Sequence, residues 1–291
     1  MTHKNISSLN WFLLFFLAAV WGSSFILMKK AMLVFSPAQV GCMRVFIAFL
    51  SLAPFIFQNI SKIKNHQWKY LAVTGLLGSG IPVFLFTAAQ KHIDSAVAGI
   101  LNALTPLFAL MFGLVFFKAR YSYLKIIGVI VGFAGAAVII LFKTGGGMET
   151  NYFYALLVVL ATMMYAMNVN ILKTKLHDCT PIVITVGVFS VMGPPAGIWL
   201  FSTDFLEILK TNTHGYEALG YMCILAILGT SYSWILMNKL LQDTNVLFAS
   251  TTTYLIPIVA VMWGVADGEI IGIAHIIGMI TILAGVYLTS R

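Results

Sequence analysis

Ten apolar runs, each close to the length of a bilayer crossing, follow one another along this chain with short polar segments between them. They lie at Asn10–Met28, Pro37–Phe57, Trp68–Ala89, Ser95–Phe117, Tyr123–Phe142, Tyr152–Lys173, Pro181–Phe201, Tyr216–Asn238, Val246–Ala266 and Ile270–Thr289. A helix of about 20 such residues spans the hydrocarbon layer. The third run is the weakest, because Gly75, Gly78, Gly80 and Pro82 thin its signal. With 60% of its residues hydrophobic and only 9% charged, the chain lacks the polar surface that a soluble domain needs. The expectation is an all-α integral membrane protein with ten transmembrane helices. His3 and Lys4 give it the basic start of a signal sequence. The first apolar run, however, continues from Trp11 to Met28 with no small-residue cleavage site, so it reads as an uncleaved spanning helix.

Charge sets the orientation. The net charge of +8 does not point to nucleic acid, since the basic residues stand singly or in small groups between apolar runs. With the N-terminus in the cytoplasm, eleven basic residues fall on the inner side: Lys4, Lys62, Lys64, Lys69, Lys118, Arg120, Lys125, Lys173, Lys175, Lys239 and Arg291. Five fall outside: Lys29, Lys30, Lys91, Lys143 and Lys210. The positive-inside rule then places both termini in the cytoplasm, and a bacterial inner membrane is the expected location. Cys42, Cys179 and Cys223 have no CxxC spacing, so neither a disulfide framework nor a metal site is indicated. No cofactor is indicated. The longest loop, Ser202–Gly215, is too short for a catalytic domain. Gly145–Gly146–Gly147 reads as a linker rather than a phosphate cradle, because no strand precedes it and no Lys-Ser/Thr pair follows.

The two halves align. At an offset of 151, Ser95–Gly113 and Val246–Gly264 share Ala98/Ala249, Leu104/Leu255, Pro106/Pro257, Ala109/Ala260, Met111/Met262 and Gly113/Gly264. Leu77–Gly78 meets Leu228–Gly229 at the same offset. At an offset of 144, Trp21 and Ser24 meet Tyr165 and Asn168, Lys29 meets Lys173, and Pro37 meets Pro181. At 150, Ile126–Gly128 and Ala134–Gly135 meet Ile276–Gly278 and Ala284–Gly285. The expected domains are a first five-helix repeat over 1–145 and a second over 146–291. An odd number of spans per repeat turns the second upside down, and such inverted repeats carry their site at the interface near the midplane.

Trp21–Gly22–Ser23–Ser24–Phe25 with Lys29, Pro37 and Arg44 followed by Ala48, the Ala98–Pro106–Gly113 helix and the Gly128/Gly135 helix together resemble the EamA-type drug/metabolite transporters. The resemblance covers essentially the whole chain. It implies ten helices, cytoplasmic termini, a central cavity and export or exchange of small metabolites. The Tyr165–Ala166–Met167–Asn168 segment departs from Trp-Gly-Ser-Ser, so the two gates need not be chemically alike.

Candidate site residues follow from spacing. Trp21 and Ser24 share a helix face, as do their counterparts Tyr165 and Asn168. Asn102, Thr105, Thr253 and Tyr254 sit beside Pro106 and Pro257, which free backbone carbonyls and serve as candidate hinges. Each of these residues either lines a cavity or satisfies and packs its own helix. In the eighth span Tyr232 is preferred over Trp234, which faces another way. Arg44 is the one charge well inside a span, roughly 10 Å from the outer boundary. Such a charge marks a functional hypothesis, either as an attractor of a carboxylate or phosphate or as a cap on helix carbonyls. Its counterpart is Val188. No Asp or Glu lies near the middle of any run, which favours facilitated diffusion or exchange over a proton relay. Glycine rows such as Gly128, Gly132 and Gly135 read as tight helix packing.

The sequence thus points to an alternating-access transporter of small organic metabolites, such as amino acids or related amphipathic compounds. Its partners would be the small-molecule substrate and the lipid bilayer. A monomer would suffice, although the oligomeric state is left open. An integral-membrane enzyme acting on lipid-like substrates is one alternative, but its catalytic groups would have to come from scattered outer acids and His214. A channel is the other.

Overall fold

A computed structural model describes residues 7–117, 122–141, 152–244 and 246–290. Lys4, Lys118, Arg120, Lys143, Glu149, Arg291 and the triple glycine at 145–147 lie outside the described residues. Among the described residues every regular element is helical. In chain order these are α1 (Ser8–Ala31), α2 (Pro37–Ser51), α3 (Ala53–Asn59), α4 (Trp68–Gly75), α5 (Ile81–Gln90), α6 (Ser95–Asn102), α7 (Thr105–Phe117) and α8 (Tyr123–Leu141). Then come α9 (Tyr152–Lys175), α10 (Pro181–Phe201), α11 (Phe205–Thr211), α12 (Gly215–Ala226), α13 (Ser233–Asp243), α14 (Val246–Ala266) and α15 (Ile273–Ser290).

Seven helical stretches are long and apolar enough to cross a membrane. An eighth is α2 with α3 and its extension to Lys62, bent by 58°. Thr252–Ala266 and Ile273–Thr289 are shorter apolar helices. Large apolar side chains such as Phe12, Ile130, Ile198, Met262 and Ile280 stand exposed on the outside, as lipid-facing surfaces do. The chain is a multi-pass membrane protein. The 202–215 loop, expected to be a plain solvated connector, carries the short helix α11. Its neighbour Asp204 accepts a 2.7 Å hydrogen bond from Gln39 Nε2, which ties it to the first turn of α2.

The breaks in the helices have local causes. Pro106 lacks the N–H that would bond Asn102, so α6 stops at Asn102 and α7 begins at Thr105. Between them the ladder tightens, with Ala103 N–H donating to Ile100 O and Leu104 N–H to Leu101 O. The third run, thinned by glycines, contains a π-helical segment at Leu76–Gly80, and the eighth contains another at Ile227–Tyr232. The two segments correspond at the offset of 151. In the second, the hydroxyls of Thr230, Ser231 and Ser233 donate to the carbonyls of Leu225, Ala226 and Leu228, and Leu228 O also accepts the Ser233 N–H. The copy at Pro257 behaves differently. Helix α14 runs through Pro257 without interruption, so the expected pair of broken helices is a single break at Ala103–Leu104 and one continuous helix.

Helix α8 packs along α15, α1 on α14, α2 on α10, and α9 on α5, α6 and α7. The α8–α15 contact is glycine against glycine. A Cβ at Gly128 would lie 2.7 Å from the carbonyl oxygen of Gly285, and one at Gly135 would lie 2.8 Å from that of Gly278. The earlier glycine of one helix meets the later one of the other, so the two run antiparallel.

Gly285→Ala is therefore expected to destabilise the fold, by about 1–3 kcal/mol, the usual range for overpacking. Its new methyl would sit 2.5 Å from Gly132 N. Gly220→Ala serves as the control, since a methyl there meets nothing within 4 Å. Thermal unfolding in detergent reads both. Equal midpoints for the two variants would show that the glycine contact is not tight.

Candidate functional site

Helices α1, α2, α5, α7, α9 and α14 enclose a cavity of about 740 Å³, within the range of small-molecule sites. Corresponding positions of the two halves meet in its wall. At the offset of 144, Trp21 and Tyr165, Ser24 and Asn168, and Val45 and Phe189 all line it. At 151, so do Gly78 and Gly229, Ser79 and Thr230, Val83 and Trp234, Asn102 and Thr253, and Thr105 and Ile256.

Of the residues expected at a site, Trp21, Ser24, Arg44, Asn102, Thr105, Pro106, Tyr165, Asn168, Thr253 and Tyr254 line this one cavity. Several also hold the helices together. Trp21 Nε1 donates to Gly229 O at 3.1 Å, capping a carbonyl inside the second π-segment. Thr105 Oγ1 donates to Asn102 O at 2.9 Å, the carbonyl that Pro106 leaves unpaired. Ser24 Oγ donates to Val20 O, and the Tyr254 hydroxyl reaches Val286 O at 3.1 Å. Tyr165 stacks on Phe86 with ring centroids 5.9 Å apart. Asn168 is buried, and its Oδ1 has no hydrogen-bond partner. A buried amide oxygen without a donor is costly, and here it adjoins the cavity.

Two of the singled-out residues, Tyr232 and the candidate hinge Pro257, lie outside the cavity wall. Tyr232 does not line the cavity. It is exposed and lies edge-on to Phe55, while Trp234 takes the cavity position. The π-segment that ends at Tyr232 adds a residue to the turn, which rotates the following face away from a regular α-helical count. Pro257 is buried and outside the cavity wall. Spacing alone also missed Asn170, whose Nδ2 donates to Ala109 O and Ala166 O at 3.0 Å, and Ser79, Thr230 and Trp234. The repeat alignment carries a signal for the last three, since each pairs with a wall position in the other half.

Arg44 has no carboxylate partner among the described residues. Its Nε donates to Thr230 Oγ1 at 3.1 Å, and Nη1 lies 3.6 Å from Met28 Sδ. Among the described residues it caps no helix carbonyl. The guanidinium has five N–H donors; these contacts engage two of them, and the residue lines the cavity.

One end of the bundle is closed by charge. Lys29 at the end of α1 meets both Asp267 and Glu269 at 2.7 Å, and Lys30 also pairs with Asp267. Glu269 accepts from the backbone N–H groups of Ser95 and Ala96 at 2.9 and 3.0 Å and from Ser95 Oγ at 2.7 Å. It thus caps α6, a task that Asp94, the residue preceding the helix, leaves undone. Gly268, with φ of 84°, makes the turn that points Glu269 back at α6. Burial alone would raise both carboxylates. Lys29, Ser95 and the Ala96 N–H hold Glu269 below its ordinary range, and Lys29 and Lys30 do the same for Asp267. No member of this clasp lines the cavity, whose wall instead reaches Lys125 at the start of α8 and Lys173 in the last turn of α9.

The model of the EamA-like transporter family matches residues 9–141 and again residues 152–291. An "Uncharacterized transporter" of Archaeoglobus fulgidus is 24% identical over 285 residues, covering 97% of this chain and 98% of the relative. The "Uncharacterized inner membrane transporter YedA" of Escherichia coli K12 is 24% identical over 266 residues, 88% and 81% of the two chains. A protein of Streptantibioticus cattleyicolor named "Probable terminal-alkyne amino-acid exporter" is 22% identical over 284 residues, 93% and 90%. One solved crystal structure has the same fold, with a TM-score of 0.60 at 17% identity over 97% of this chain and 96% of that one.

The clasp has a definite pH signature. A carboxylate held below its ordinary value contributes stability that is complete above that value and is lost as pH falls through the lower folded one. The difference in thermal midpoint between the wild type and Glu269→Gln should therefore be full at neutral pH and shrink only below the ordinary glutamate value of 4.5. A difference unchanged on strong acidification would mean that charge does not hold the clasp.

Proposed function

The chain belongs to the EamA-like transporter family, and on that premise we propose that it is an alternating-access carrier of small organic metabolites, amino acids or related amphipathic compounds. In this reading it has ten transmembrane helices in two inverted five-helix repeats, 1–145 and 146–291, with both termini in the cytoplasm of a bacterial cell. The observation that carries the proposal is the pairing of corresponding positions from both halves around one cavity.

Three further features support it. The family model matches once in each half. Gly128 meets Gly285 and Gly135 meets Gly278, a reciprocal pattern that a twofold axis between α8 and α15 would generate. The two π-segments fall at corresponding positions. The positive-inside count puts Lys125 and Lys173 on the cytoplasmic side and the Lys29–Glu269 clasp on the other, so this conformation is inward-open. A cavity that ends before the clasp favours a carrier over a channel. Opening the other way requires the clasp to part and α6 to move against α7, with the Ala103–Leu104 break before Pro106 as the pivot. The name of the S. cattleyicolor relative supports amino acids as a substrate class and export as a direction, and that of YedA supports the inner membrane. Within the cavity, Asn102, Asn168, Thr253 and Tyr254 would contact the substrate's polar groups, and Trp21, Tyr165 and Trp234 its apolar body.

Saturable uptake or efflux in proteoliposomes, tested over a broad metabolite panel, checks the proposal. No saturable flux from demonstrably folded protein would count decisively against it. Trp234→Ala should lower flux about tenfold or more, by removing an aromatic contact. Tyr232→Ala should leave flux near the wild-type value at similar expression. The reverse ranking would put the path on the other side of α13.

A further inference from the structure

The charged side chains in the cavity wall are Arg44, Lys125 and Lys173, and no Asp or Glu is among them. The described acids lie elsewhere. Asp267 and Glu269 are consumed by the clasp, and Asp204 accepts from Gln39 on α2. Neither Arg44, Lys125 nor Lys173 forms an ion pair among the described residues. Resting on the carrier reading, we propose that the cargo bears a net negative charge. It is an organic anion whose carboxylate is held by Arg44 and whose approach is guided by Lys125 and Lys173.

The two lysines and the arginine differ in role because they differ in depth. Lys125 and Lys173 stand at helix ends, where water screens them over roughly 10 Å at 0.1 M salt. They raise the local concentration of an anion at the mouth and bind it weakly. Arg44 lies inside the bundle with most of its planar fork unpaired. That fork matches the two oxygens of a carboxylate. A buried guanidinium without a counter-ion is unfavourable, and the arriving carboxylate supplies the missing charge. The same field repels a cation and gives a zwitterion little net gain. The scaffold itself does not impose this charge, since Val188 occupies Arg44's place in the second half.

Four compounds on one skeleton isolate charge from shape: N-acetyl-leucine (anion), leucine (zwitterion), N-acetyl-leucinamide (neutral) and leucinamide (cation). Each is measured by thermal stabilisation of the purified protein and by flux in proteoliposomes. N-acetyl-leucine is expected to bind and move best, by about tenfold or more over the neutral and cationic members. Arg44→Gln should abolish that preference and Arg44→Lys should restore part of it. Lys125→Gln with Lys173→Gln should raise KM and flatten its dependence on salt. An equal or larger response to leucine, leucinamide or N-acetyl-leucinamide overturns the charge assignment, as does no response to N-acetyl-leucine in either readout. Charge-selective binding with no saturable flux of any compound keeps the assignment and sinks the carrier reading instead.

Discussion

A lipid interior offers the backbone no hydrogen-bond partner, so a spanning helix can depart from α-geometry only where the protein supplies the missing groups. Besides the bend between α2 and α3, three departures among the described residues each come with their own donors or a tightened turn. At Ala103–Leu104 the Thr105 hydroxyl takes the carbonyl left by Pro106. At Ile227–Tyr232 three hydroxyls and the Trp21 indole donate to carbonyls in and just before the segment. At Leu76–Gly80 the glycines let the backbone close on itself, with Ile81 N–H donating to Leu76 O. All three departures border the same cavity. The place where polar chemistry can exist in this bundle is thus fixed by where its helices are allowed to be irregular.

The same constraint governs charge. At one end, two lysines and two carboxylates neutralise one another, and Glu269 doubles as the cap of α6. Lys173, which corresponds to Lys29 in the other half, has no comparable partner among the described residues. The sequence gives the reason. At offsets of 150 and 151 Glu269 corresponds to Ala119 and Lys118, and at 150 Asp267 corresponds to Phe117. The second end of the bundle therefore cannot be shut by the same ion pairs. The closed end is held by charge and the open end is lined by it.

Much of this was legible in the chain. The helix positions follow from the apolar runs, and most of the cavity wall follows from polar and aromatic residues near the two prolines and in the first and sixth runs. What was missed has specific causes. Helical spacing assumes 3.6 residues per turn, so it failed after the second π-segment and chose Tyr232 over Trp234. Proline was read as a break in both halves. One proline stands near the start of a new helix, whereas the other is absorbed within α14. The pairing of Lys29 with Glu269 joins positions 240 apart and leaves no trace in local pattern. Arg44 was found by its rarity alone, and its contacts to Thr230 and Met28 are visible only in the structure.

Corresponding wall positions share location without sharing chemistry. Serine faces asparagine at Ser24 and Asn168, asparagine faces threonine at Asn102 and Thr253, and valine faces tryptophan at Val83 and Trp234. On the proposed repeat, glycines, π-segments and helix contacts recur in both halves, and the carrier reading takes from this two backbone arrangements of similar energy, one open to each side. The side chains that do not recur bias this near-symmetric scaffold. The clasp stabilises one arrangement, and Arg44 gives the cavity a sign of charge that symmetry alone would not. Specificity and bias can then change by single substitutions in the wall or at the clasp, while the packing that allows the motion stays intact.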